Sequence, residues 1–448
     1  MTAATTETES PPSFPLAFAV LIWLGQCVSL LGSGLTSFAL GVWMYETTGG
    51  VTRFALVMLS ATLPAILLGP VAGALVDRWN RRWVLILSDS IAGLMSLVLA
   101  TLLFSGYLQP WHAYVTTAVV SAASAFQQPA FSVLVSTVIP PQHLGRANGM
   151  VQLGLAASQL IAPLASASLM ATVHLQGILI IDAVTFILGT TPLLLLRIPK
   201  RFLTTPVQEE RPSLGESVRA GARYLGTSRG LLVLIGLLAT SNFFLGVLEV
   251  LVTPLVLSLS NVSALAAITT AGGVGLLVGS LTMSALGSPR RMVNGILAVQ
   301  LTSGLLFILV GFITSIPVLT GIAFCFFFSA PLVNGAIQTL LQRKVPLELR
   351  GRVFAFTGTL TGAMLPLAYT LSGPLADQVF EPALHPGGAL AALLGRFVGE
   401  GAGRGIAVMF ILAGLLTIFV TALAALSRPL RGLDEPDAAP ASDVASSP

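Results

Sequence analysis

Three carboxylates lie within long apolar runs of this chain: Asp89, Asp182 and Glu249. Taking an ionised carboxylate out of water is costly, so each is a candidate to take up and release a proton. Glu249 ranks first, as the only acid well inside one of the stretches expected to line a cavity; Asn242 precedes it by seven residues and shares its helix face. Asp182 ranks second. Asp89 lies near an arginine run, and pairing with Arg81 or Arg82 would account for it. Amides and hydroxyls recur at helical spacing in four stretches, one of them that of Glu249. They are Gln26, Ser29, Ser33 and Ser37; Ser121, Ser124, Gln128 and Ser132; Asn242 with Glu249; and Asn334, Gln338 and Gln342. Polar side chains seldom face lipid, so these stripes should face protein or water. Any single serine is better explained by an interhelical hydrogen bond worth about 0.6–2 kcal/mol. As a set, the stripes describe a wet cavity.

The elements that must position these residues are membrane helices. Of 448 residues, 9% are charged and 54% hydrophobic, and the mean hydropathy is +0.89. A soluble domain carries about 25% charge. Twelve stretches are long and apolar enough to span: 15–45, 51–76, 83–107, 111–139, 146–173, 176–197, 230–259, 263–287, 292–314, 317–345, 352–377 and 405–427. The first has no small-residue cleavage site after it and reads as a retained helix, not a signal peptide. Turns after the even-numbered spans, with the C-terminal tail, hold 19 of the 22 lysines and arginines. Positive charge stays in the cytoplasm, so both termini are expected there, in a multi-pass protein of the cell membrane. The basic pI of 9.4 is therefore no sign of nucleic-acid binding. Cys27 and Cys325 fall inside spans 1 and 10 and are expected as small buried apolar residues, not a disulfide.

The chain reads as an N-terminal bundle of six helices (15–197), a cytoplasmic linker (198–229) and a C-terminal bundle (230–427). The tails 1–14 and 428–448 are too polar to pack and are expected to be disordered. The linker segment Ser213 to Tyr224 fits either an amphipathic surface helix, with Leu214, Val218 and Leu225 on one side, or an ordinary charged connection. The outer loop 378–404 is rich in Gly, Pro and Ala and reads as a structural flap. The halves repeat at an offset of 206. Gly69 and Gly73 return as Gly275 and Gly279. Pro140, Gly145 and Arg146 return as Pro346, Gly351 and Arg352. Glycines four apart let a second helix approach closely.

The most specific string is Gly73-Ala-Leu-Val-Asp77-Arg78-Trp-Asn-Arg81-Arg82, between spans 2 and 3. A carboxylate such as Asp77 at a helix end can accept from N–H groups at another helix's start. The string resembles the signature loop of the major facilitator superfamily. Phe126-Gln-Gln-Pro129-Ala130, Val138-Ile-Pro140 and Leu144-Gly-Arg146-Ala147-Asn148 narrow the likeness to its twelve-span drug/proton antiporter branch, which includes macrolide-efflux-like and enterobactin-exporter-like proteins.

That resemblance implies an all-helical fold of two pseudo-symmetric six-helix bundles with a site near the midplane, lined by spans 1, 4, 7 and 10. Gln26, Ser33, Gln128, Asn242, Asn334 and Gln338 would line it. Gly69, Gly73, Asp77, Arg78, Arg81, Arg82, Gly351 and Arg352 would form the gate, and Glu249 or Asp182 would carry the proton. The expected activity is proton-coupled export of a small amphiphile, a drug, siderophore or secondary metabolite, by alternating access. An importer or lipid facilitator of the same fold is the alternative, and a non-transporting receptor a more distant one. The protein would act as a monomer in the bilayer, with no cofactor, no metal and an ion gradient as its drive. The chain departs from the pattern where Met283 stands at the repeat of Asp77, and no arginine occurs in span 4. Enzymatic classes are not expected. His112, His143, His174 and His385 are scattered, and no HExxH, CxxC, phosphate-loop or G-x-S-x-G pattern is present.

Overall fold

The computed structural model describes residues 16–76, 79–138, 144–195, 214–287 and 291–434. Asp77 and Arg78 of the signature string, His143, both tails and the first part of the linker lie outside the described residues. The chain divides into two compact units, Met1–Arg211 with Leu265–Thr270, and Pro212–Ala264 with Ala271–Pro448.

The first unit is built from α1 (Leu16–Thr48), α2 (Val51–Val76), α3 (Arg81–Phe104), α4 (Pro110–Val138), α5 (Leu144–Thr172) and α6 (His174–Leu195). With no water to bond, a lipid-embedded backbone must satisfy itself, and these runs do so as helices. Helix α1 packs on α5 and α6, while α3 packs on α4 and α6, and α2 lies along α4. Gly25 and Gly189 make the α1–α6 approach possible. A Cβ on Gly25 would sit 3.1 Å from the Gly189 carbonyl oxygen, and the reverse distance is 3.0 Å. One apolar core joins Leu40, Met44, Leu99, Ile178 and Leu179, and another joins Val84, Leu85, Leu134 and Leu193.

The second unit contains α7 (Leu214–Thr227), α8 (Arg229–Leu259), α9 (Val262–Leu286), α10 (Met292–Phe312), α11 (Ile316–Lys344), α12 (Leu347–Gly362), α13 (Met364–Leu375) and α16 (Arg404–Leu426). Its core gathers Leu231 and Leu234 from α8, Ile296 from α10, Ile337 and Leu340 from α11, Val353 from α12 and Ala424 from α16. The linker segment does form a helix. On α7, Leu225 is fully buried and the Tyr224 hydroxyl donates to the Lys344 carbonyl at 3.1 Å, so this helix packs onto α12 and the end of α11.

The eleventh span is two helices, α12 and α13, meeting at Ala363, a one-residue interruption across which the Ala363 N–H still bonds Thr359 O, four residues back, at 3.0 Å. After Pro374, which has no N–H to give, the chain loosens into a π-helical turn, Ala376–Phe380. The outer loop then folds through α14 (Glu381–Leu384) and α15 (Ala391–Val398). Leu384 and Val398 bury against Ala407 and Val408 of α16. The Glu381 carboxylate accepts from the N–H groups of Gly403 (3.2 Å) and Ile406 (3.0 Å), donors that the start of a helix leaves without intrahelical partners.

Eleven described helices are long and apolar enough to cross a membrane, against the twelve expected. The one that falls short is α4. Its 29 residues suffice in length, but Thr116, Thr117, Ser121, Ser124, Gln127 and Gln128 lower its hydropathy.

Candidate functional site

The polar residues of α4 face inward. With residues of α1, α3, α5 and α6 they line a cavity of about 380 Å³ that lies wholly within the first unit. Gln26, Ser29, Ser33 and Ser37 of α1 and Ser121, Ser124 and Gln128 of α4 contribute to it, as does Asp182. Ser132, the remaining member of the α4 stripe, is exposed.

Asp182 is 2% exposed and takes a hydrogen bond from the Ser96 hydroxyl at 2.7 Å on one carboxylate oxygen. Gly32 makes room for it: a Cβ there would lie 2.8 Å from Asp182 Oδ1 and 2.0 Å from the Thr185 hydroxyl. Asp89 is 0% exposed and does not line the cavity. Its oxygens accept from Gln26 Nε2 (2.9 Å) and Gln127 Nε2 (2.6 Å), and Gln127 Nε2 also reaches Gln26 Oε1 at 3.3 Å. Three helices, α1, α3 and α4, thus meet at one buried carboxylate.

This departs from the expected pairing of Asp89 with arginine. Arg82 instead donates to the carbonyls of Leu193 (2.7 Å) and Leu194 (2.8 Å) at the end of α6, where the helix dipole favours a cation. Arg81 is buried at the start of α3. Asn80 caps that helix by accepting from the Arg82 N–H at 3.1 Å.

In the second unit, the Tyr369 hydroxyl of α13 donates to the Glu249 carboxylate of α8. Asn242 donates to the Leu238 carbonyl of its own helix at 3.0 Å. Asn334, Gln338 and Gln342 are exposed on α11, and Gly351 and Arg352 are exposed on α12. The run Phe324-Cys-Phe-Phe-Phe328 of α11 takes part in packing: Phe326 lies 5.2 Å from Phe307 of α10, ring centre to ring centre. Gly275 and Gly279 of α9 close on the same run, where a Cβ would meet Phe324 O at 2.3 Å and Phe328 O at 2.2 Å. Their first-half counterparts behave differently. No described atom lies within 4 Å of a Cβ placed on Gly69 or Gly73. The cysteines are free, and neither is fully buried: Cys27 lines the cavity and Cys325 is exposed.

Sequence reasoning passed over Gln127, Ser96 and Tyr369. Gln127 stands three residues after Ser124, a helical spacing that its neighbour Gln128, four residues after, satisfies equally. Tyr369 carried no such signal, because 120 residues separate it from Glu249.

A long-helix membrane bundle with a polar cavity and buried carboxylates is the architecture of a solute transporter. A profile of the Major Facilitator Superfamily matches residues 22–368, and the chain belongs to that family. It is 26% identical over 376 residues to macrolide efflux protein A of Streptococcus pyogenes, covering 80% of this chain and 89% of that one. It is 24% identical over 388 residues to the multidrug efflux pump Tap of Mycolicibacterium fortuitum, covering 83% and 91%. Among solved structures, a bacterial homologue of the human lysosomal transporter Spinster superposes with a TM-score of 0.66 at 14% identity, covering 95% of this chain and 98% of that one. That last likeness concerns the fold alone.

Proposed function

We propose that this transporter is a proton-coupled exporter of small amphiphilic molecules in the cell membrane, with both termini cytoplasmic. It would work as a monomer, by alternating access and without a cofactor. The observation that carries the reading is the cavity of the first unit, where hydroxyls and amides share the wall with apolar side chains and with the Asp182 carboxyl. Such a wall suits a molecule with an apolar body and a few polar groups. The efflux relatives support the outward direction. Asp182 and Glu249 are the proposed proton carriers, Asp182 buried and Glu249 half-buried, and each accepts from a hydroxyl, of Ser96 and Tyr369. A proton on either group removes a charge that is costly to bury, which gives the gradient something to act on.

The test is flux. Purified protein in vesicles should move ethidium, as a probe amphiphile, against its gradient only when a pH gradient is imposed. Glu249→Gln and Asp182→Asn should each reduce that driven flux by about tenfold or more, while downhill exchange survives. Equal flux with and without the pH gradient would rule out coupling.

A further inference from the structure

We propose that Asp89, a residue the cargo never touches, decides whether the cavity wall offers acceptors or donors to a bound amphiphile. It would do so by fixing the amide orientation of Gln26 and Gln127. The inference rests on reading the cavity as the cargo site.

An ionised carboxylate can only accept hydrogen bonds. Both glutamines answer it with their N–H groups, Gln26 at 2.9 Å and Gln127 at 2.6 Å. A glutamine that turns its NH₂ to Asp89 must turn its carbonyl elsewhere. The Gln26 carbonyl is taken by Gln127 at 3.3 Å. Gln127 Oε1 has no protein donor among the described residues, and Gln127 lines the cavity. With Asp89 charged, the wall therefore presents an acceptor, which suits a donor-bearing cargo such as a protonated amine.

Adding a proton from water to Asp89 turns one of its oxygens into a donor. When that oxygen is Oδ1, which Gln127 faces, Gln127 must offer its carbonyl, and its NH₂ swings outward. The wall now presents N–H groups to a cargo that also carries N–H groups, and the two no longer match. A proton at Asp89 and an ammonium at Gln127 thus exclude each other without contact. That exclusion is what exchange of one for the other requires.

Asp182 shares the cavity wall, but no titratable group among the described residues hydrogen-bonds to Asp89 itself. The helices around it carry His174 and Asp182 on α6, His112 and Tyr114 on α4, Cys27, Tyr45 and Glu46 on α1, and Arg81 and Arg82 on α3 itself. None of these hydrogen-bonds to Asp89, whose partners are the two glutamines.

The experiment compares two fluorescent cations of equal charge, a dansyl-labelled primary alkylammonium and its trimethylammonium counterpart, which has no N–H. Binding to the purified full-length protein is measured from about pH 5 to about pH 8. The wild type should prefer the primary ammonium by roughly three- to tenfold at the alkaline end, the worth of a hydrogen bond. The preference should fade toward the acidic end. Asp89→Asn should bind both probes alike at every pH, because its amide satisfies either glutamine orientation. Gln127→Leu should also lose the preference, and it serves if the first variant does not fold. Glu381→Gln, at a carboxylate outside the cavity lining, should keep the pH-dependent preference. An unchanged preference in Asp89→Asn, its loss in Glu381→Gln, or a wild type that binds neither probe or both equally would overturn the proposal. Flux that ignores a pH gradient, with the binding preference intact, would instead count against coupled export.

Discussion

Gly32 shows how narrowly one residue is specified. Its neighbours Thr185 and Asp182 occupy the space a methyl group would need, at 2.0 and 2.8 Å. Gly32→Ala should destabilise the purified protein by about 1–3 kcal/mol, read as a lower unfolding temperature, because the crowding falls on packed helices. Gly69→Ala is the control: with no described atom within 4 Å of the new Cβ, its effect should stay within about 0.5 kcal/mol. Single residues were only partly legible from sequence. Asp182 and Glu249 stood out because a lone acid in an apolar run is rare. What each of them bonds to was hidden, since Ser96 and Tyr369 come from other helices. Helical spacing put Gln128 on the polar stripe, and it does line the cavity. Its neighbour Gln127 makes the hydrogen bond to Asp89, and a stripe drawn with one residue per turn does not separate two adjacent glutamines.

Among the elements, α3 and α6 are tied by Arg82, whose guanidinium holds two carbonyls at the end of α6. Arg82→Leu removes both charge-assisted bonds, each worth about 1.5–3 kcal/mol, and should lower the unfolding temperature more than Arg82→Lys, which keeps a single point donor. Glu381 does a similar service for the outer cap, at the start of α16. Glu381→Leu should loosen the segment around Gly387, and limited proteolysis of intact membranes should then cut there faster than in the wild type. The spans themselves were legible, because hydropathy alone picks out a run that must satisfy its own backbone in lipid. Their interruptions were less so. The break at Ala363 and the π-helical turn after Pro374 lie within apolar sequence, where hydropathy is blind to backbone geometry. The choice between a surface helix and a charged connection at α7 was open for another reason: a short amphipathic segment is fixed as a helix by the partner it packs on, here α12, which the sequence does not name.

At the scale of the molecule, the 206-residue repeat predicts two similar units, and the family match places both in one transporter fold. The repeat is not carried equally into packing. Gly275 and Gly279 are closed upon by α11, while Gly69 and Gly73 face no described neighbour. If coupled export is correct, collapsing the pH gradient in cells that overproduce the protein should raise retained ethidium to the level of cells lacking it, a difference of several-fold that fluorescence would report. The polarity of α4 bears on a different stage of the protein's life, its synthesis. A helix is released into lipid from the translocation machinery according to its own apolar character. Helix α4 carries Ser121, Ser124, Gln127 and Gln128 through its middle and would partition poorly alone. Its entry into the bilayer then depends on α2 and α3, already made and able to cover its polar face, with Ser121 donated to by the Ala65 N–H at 3.2 Å and Gln127 held by Asp89. The residues that make the cavity polar should therefore tie the insertion of α4 to the helices that cover them, α2 and α3.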